Sequence, residues 1–202
     1  MPLQNRVTPD MQIVRDNWRG DYMGNRGGRI HDPESKTLLK RKWASKRWII
    51  CVTKFKERQR KIMGNSYTEL FFLDEVSALA AGHRPCFECR REQAKAFGDA
   101  WLKTYCKPNG SFADAMDTQL HQERTGEHIL LDEEALEQLP DGAMIKINNT
   151  CFAKKNASFF KWSGEGYSKT KLLKGEAFLL TPRSVLEVLS KGYVPHWHGS
   201  SC

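Results

Sequence analysis

The chain has 202 residues, enough to bury a core as one domain or two small ones, and no apolar run approaches the ~20 residues needed to cross a bilayer. Its net charge of +8 is concentrated: Lys36 to Lys61 holds eleven basic residues and one acid, Glu57, a balance of +10 that leaves −2 elsewhere. Such a stretch argues against an evenly solvated surface and for a polyanionic partner, most often nucleic acid.

Residues 1–35 read as irregular and rich in turn formers, a segment that wraps a domain rather than building its core, with a turn at Met23-Gly24-Asn25-Arg26-Gly27-Gly28. Trp48 to Phe55 has the β-branched and aromatic content of a strand, Lys56 to Arg60 reads as its turn, and Lys61 to Met63 as a return strand, together a basic hairpin. Tyr67 to Leu73 reads as another short strand. Asp74 caps a helix over residues 75–81, and Gly82 supplies the left-handed residue that ends it. A turn through Pro85 then presents Cys86 and Cys89.

Beyond Cys89, Ala94, Phe97, Trp101, Leu102 and Tyr105 recur at helical spacing. Ser111 with Asp114 opens a further helix to about Arg124, and Asp132 caps a short one over 133–138. Strands follow at 143–147, 151–154, 158–162 and 177–180, with Asn148-Asn149 a hairpin turn. Thr181-Pro182 reads as a cap and first helical proline, with Val185, Leu186 and Leu189 the apolar face and Gly192 the stop. The expected fold is α+β: a small zinc-stapled module over 1–110 carrying the basic β-hairpin, and a C-terminal β-rich subdomain over 111–202 with a terminal helix.

The N-terminal Met1 to Arg6 lacks the apolar core of a signal peptide, so the six cysteines are expected to be reduced in a cytoplasmic protein, where Cys-x-x-Cys reads as metal-binding or redox. Two thiolates at that spacing on a turn grip one face of a tetrahedral ion, and Zn²⁺ is the usual occupant. The run from Phe71-Phe72 through Asp74 to Arg91, with Ala78-Leu79-Ala80-Ala81-Gly82-His83-Arg84-Pro85-Cys86-Phe87-Glu88-Cys89 at its centre, resembles the second half of the Ada-type metal-binding domain. The resemblance covers about residues 71–91 and implies Zn²⁺ on Cys86 and Cys89 in a DNA-repair setting. It aligns His31 and Ser35 with the upstream ligand pair. A histidine at the first ligand position cannot serve as a nucleophilic thiolate, so the resemblance points to structural zinc rather than methyl transfer. Among His31, Cys51, His83, His121, His128, His196 and His198, His31 is the expected third ligand and the fourth stays open. Cys51, in an apolar strand, reads as simply buried.

Arg41, Lys42, Lys46, Arg47, Arg84, Arg90 and Arg91 are the expected phosphate contacts, with Trp43 or Trp48 stacking on a base. Asp114, Asp117, His121 and Arg124 share one helix face, with Glu123 close by, so His121, Glu123 and Asp117 form a second candidate site. Acid and imidazole there could hold a divalent ion and activate water for phosphodiester cleavage. The leading expectation is a zinc-stabilised protein that binds nucleic acid, DNA more than RNA, in repair or processing. A metal-dependent nuclease and a zinc-stapled protein-interaction module are the alternatives.

Overall fold

A computed structural model describes residues 1–59, 61–127, 129–172 and 174–201. The elements are β1 (Gln4–Val7), β2 (Ile13–Arg15), β3 (Tyr22–Arg26), β4 (Trp48–Val52), β5 (Leu70–Phe72), α1 (Glu75–Ala80), β6 (Arg84–Pro85), α2 (Arg91–Trp101), α3 (Phe112–Thr125), β7 (Leu130–Leu131), α4 (Glu133–Gln138), β8 (Met144–Ile147), β9 (Thr150–Lys155), β10 (Ser158–Ser163), β11 (Gly166–Lys169), β12 (Ala177–Leu179) and α5 (Arg183–Ser190). The expected α+β class is found. None of these helices is long and apolar enough to cross a membrane.

Two sheets of six strands carry the fold, ordered β2-β1-β5-β3-β4-β6 and β11-β10-β9-β8-β12-β7. Between them lies α1, every residue of which is buried. Ala78 and Leu79 pack with Val7, Phe97, Leu120 and Val188, while Val76 and Ala80 pack with Met144, Ala153 and Tyr167. Core packing therefore runs across residue 110: α3 and α5 close the same cluster as the first sheet.

Residues 1–35 do not wrap the outside; they supply three strands of the first sheet. The turn-like Gly24-Asn25 pair lies inside β3, flanked by β4 and β5. Glycine is required there by close approach, because a Cβ at Gly24 would sit 2.2 Å from the Ile49 carbonyl oxygen. Among the described residues the expected basic hairpin does not form either. β4 pairs with β3 on one side and, in parallel, with β6 on the other, so both of its edges are occupied and residues 61–63 form no strand beside it.

The helix ends are closer to expectation. Asp74 and Ser77 form a reciprocal capping box on α1, and Gly82 has φ +76°. At α5 the cap is different. Thr181 Oγ1 accepts instead from the Met144 N–H at 2.8 Å, and Glu123 of α3 accepts from Ser184 N at 3.1 Å and Ser184 Oγ at 2.7 Å. A carboxylate from another helix thus closes the α5 N-terminus, where its charge also favours the helix dipole. Glu123→Ala is expected to cost about 1–2 kcal/mol in a denaturant titration; an unchanged midpoint would show that the cap is idle.

Candidate metal centre

Parallel pairing of β4 with β6 builds the site. Ile49 and Ile50 face Arg84 and Pro85, and the Cys86 N–H donates to the Ile50 carbonyl at 2.9 Å. This register sets Cys51, next on β4, against the Cys86–Cys89 turn. The sulfurs of Cys51, Cys86 and Cys89 all lie within 4.8 Å of one another, and they are close enough to bind a metal ion. Tetrahedral Zn–S bonds of about 2.3 Å place sulfurs about 3.8 Å apart, a spacing within that limit.

Cys51 and Cys86 are buried and Cys89 is half-buried, against Met23, Ile49 and Phe71. Thiol donation from Cys51 and then Cys89 lowers Cys86, helped by the N–H groups of Cys89 and Glu88, the latter 3.4 Å from Cys86 Sγ. Cys51 is pushed up, first by donating to Cys86 and Cys89 and then by burial. A divalent cation held by the three sulfurs would displace the protons they share. Backbone N–H groups aimed at a sulfur are the second layer of support that such sites use.

His31 stands elsewhere. It is fully buried, with Nδ1 2.6 Å from Thr68 Oγ1 and Nε2 2.8 Å from the Gly64 carbonyl, so both ring nitrogens are engaged in tying the chain to the loop before β5. Ser35 is exposed and bonded to Asp32. His83 is buried between aromatic rings, 5.0 Å from Trp48 and 4.7 Å from Phe72. His196 sits against Tyr22, and His198 Nδ1 contacts Ser200 Oγ. His128 lies outside the described residues. Among the described residues, the cluster that could hold a metal ion brings together three sulfurs, and the third candidate ligand is Cys51 rather than His31. The sequence setting of Cys51 gave no sign of this, because the partner strand β6 is only two residues long.

No family model, curated protein or solved structure matches the chain. Function must therefore be read from the side chains themselves.

The cationic residues divide sharply. Arg84 donates from Nε and Nη2 to the two Asp117 oxygens at 2.8 and 2.7 Å, and Arg90 from Nη1 and Nη2 to the two Glu75 oxygens, both at 2.8 Å. Both arginines are buried, so they hold the core and are not free to meet phosphates. Trp48 is only 3% exposed, with the Arg26 and Arg124 guanidinium carbons 4.1 and 4.2 Å from its ring, and it too belongs to the interior. By contrast Arg41, Lys42, Lys46, Arg47 and Arg91 are exposed, and Trp43 is 37% exposed.

Residues 39–47 form a strap fixed by its backbone. Leu39 N–H donates to the Ile30 carbonyl, Ala44 N–H to the Arg26 carbonyl, and Arg124 Nη2 to the Lys46 carbonyl. The Trp43 ring packs at 6.1 Å from Trp48 and edge-on at 5.3 Å from His121.

The proposed nuclease face is taken apart by the same contacts. The Asp117 carboxylate is held by Arg84, Asp114 pairs with Arg47 at 3.0 Å, and Glu123 caps α5. His121 is left with no carboxylate among the described contacts and with its edge on Trp43. Burial, then Arg124 and Lys46, lower its pKa, which disfavours the charged ring. Each acid that could share a metal with it is committed to a structural partner.

Proposed function

We propose that the protein is a zinc-stabilised nucleic-acid-binding protein acting in DNA repair or processing, without methyl-transfer activity. The observation that carries this reading is the link between the cysteine cluster and the strap. Cys51 lies on the strand into which the strap runs, so a metal on Cys51, Cys86 and Cys89 would lock the base of a surface bearing Arg41, Lys42, Lys46 and Arg47 around exposed Trp43. Zinc suits this role because three thiolates form a soft donor set and the ion needs no redox partner to cross-link two strands. Backbone anchoring leaves the Arg41, Lys42 and Lys46 side chains exposed, Arg47 pairs with Asp114 at 3.0 Å, and a tryptophan among them can stack on an unpaired base.

The test is fluorescence anisotropy on labelled single- and double-stranded DNA and RNA across a salt series. The logarithm of affinity should fall linearly with the logarithm of salt, and joint replacement of Arg41, Lys42, Lys46 and Arg47 by alanine should flatten the duplex slope by about 3 to 4. Trp43→Ala should weaken single-strand binding by about 1–3 kcal/mol. Unchanged affinity and slope in the quadruple variant would remove the strap from the interface, and absence of binding at low salt would favour a protein-interaction module.

A further inference from the structure

The three sulfurs of the cluster are not equally protected. Cys51 and Cys86 are 8% and 7% exposed, whereas Cys89 is half-buried, so a small solute arriving from water meets Cys89 first. Both other sulfurs lie within 4.8 Å of it. An oxidised Cys89 therefore has a neighbouring thiol at hand before a second oxidant molecule arrives. An accessible sulfur beside a resolving one is what separates a reversible thiol sensor from an inert buried cysteine.

Of the two neighbours, Cys86 is the better placed to resolve it. Cys86 and Cys89 share one turn, closed by the Arg90 N–H on the Cys86 carbonyl at 3.1 Å, and a Cys-x-x-Cys turn can form its disulfide without moving a strand. A bond to Cys51 would instead have to fit between two segments whose spacing the β4–β6 register already fixes.

We propose that the cluster is a peroxide-responsive switch, in which hydrogen peroxide converts Cys86 and Cys89 to a disulfide and so dismantles the metal site. The Cys89 thiolate attacks one peroxide oxygen; an S–O bond forms, the O–O bond breaks and hydroxide leaves. The Cys86 thiolate then attacks the Cys89 sulfur; an S–S bond forms, the S–O bond breaks and a second hydroxide leaves. The two sulfurs together lose two electrons and one peroxide gains them.

The disulfide removes two of the three thiolates, and Cys51 alone is too few to retain an ion. What then joins β4 to the turn is the two-residue pairing with β6 and the Cys86 N–H bond to the Ile50 carbonyl. This loss of the cross-link rests on the zinc reading above; the disulfide does not.

The full chain, zinc-loaded and chelator-stripped, is treated with about one to ten equivalents of hydrogen peroxide. A chromogenic chelator reads released zinc, and peptide mass mapping after alkylation in denaturant reads the sulfurs. In both forms the peptide holding Cys86 and Cys89 should become two hydrogens lighter while Cys51 still alkylates. The loaded form should release about one equivalent of zinc over the same time course, and dithiothreitol with added zinc should restore the parent's melting temperature. In stripped Cys89→Ser, Cys86 should oxidise at least about tenfold more slowly, because its sulfur is buried. Where that variant melts below the stripped parent, the parent's disulfide map decides. The switch is overturned if the thiols survive about ten equivalents, if sulfinic acid accumulates instead, or if the bond forms to Cys51. It is equally overturned if zinc stays after the disulfide forms, or if Cys86 in a folded Cys89→Ser chain oxidises at the parent's rate. A chain that takes up no zinc yet forms the Cys86–Cys89 bond removes the metal reading and upholds the thiol chemistry.

Discussion

Cys51→Ser is expected to lose bound zinc as completely as Cys86→Ser or Cys89→Ser, whereas His31→Asn keeps a full equivalent. The expectation follows from the three sulfurs lying within 4.8 Å of one another and from the His31 ring being spent on Thr68 and Gly64. Structural zinc contributes about 10–16 kcal/mol of apparent binding energy in small domains, so removing one of three thiolates should lower both metal occupancy and melting temperature steeply. His31→Asn should lower stability alone, because it breaks two buried hydrogen bonds without touching the ion. Metal content by elemental analysis, read beside thermal melting, separates these outcomes. Zinc retained in Cys51→Ser, or lost in His31→Asn at unchanged melting temperature, would sink the assignment. Binding must also release protons, since Cys51 is held protonated by its neighbours; a zinc titration at pH 7 in two buffers of different ionisation enthalpy measures them.

Arg90→Ala should destabilise the fold by about 3–5 kcal/mol, because it strands the Glu75 carboxylate at the core of the molecule. The pair is 3% and 1% exposed, so water cannot screen the loss. Tyr193 Oη at 2.6 Å and His196 N–H at 2.9 Å would still bond Glu75, but neither carries a charge. Arg84→Ala should cost less, because Arg47 Nε already lies 3.7 Å from Asp117 and can move in. Exposed Arg91→Ala should change stability by no more than about 0.5 kcal/mol. Equilibrium denaturation gives the order Arg90, Arg84, Arg91. If Arg90→Ala unfolds at the parent's midpoint and instead loses nucleic-acid affinity, the arginine is a surface contact and the buried pair is misread. Adding Glu75→Gln to Arg90→Met should recover part of the loss, since a neutral pair no longer leaves a bare charge inside.

These two sets of substitutions bear on the same question from opposite sides. Cys51 reads from sequence as a buried apolar position and proves to be a ligand candidate. Arg84 and Arg90 read as phosphate contacts and prove to be core. In each case the deciding partner is distant in the chain: Glu75 and Asp117 for the arginines, and the turn at Cys86 for Cys51. Sequence spacing reports neighbours on one helix or one turn, and it carries no record of which long-range neighbour satisfies a charge.

Local chemistry was legible because it is local. Asp74 and Ser77 cap α1, Gly82 ends it, Ser111 and Asp132 cap α3 and α4, and Asn148 makes its turn with φ +54°, each set by residues within four positions of one another. The sequence by itself also determined that Cys86 and Cys89 share a turn and that residues 36–61 carry the positive charge. Only the tertiary structure decided that Gly24 lies within a sheet, that Glu123 rather than Thr181 caps α5, and that Cys51 joins the thiol pair. The physical reason is strand register: which residues face each other across a sheet is set by packing over the whole core, and a pairing as short as β4 with β6 leaves no pattern in the chain.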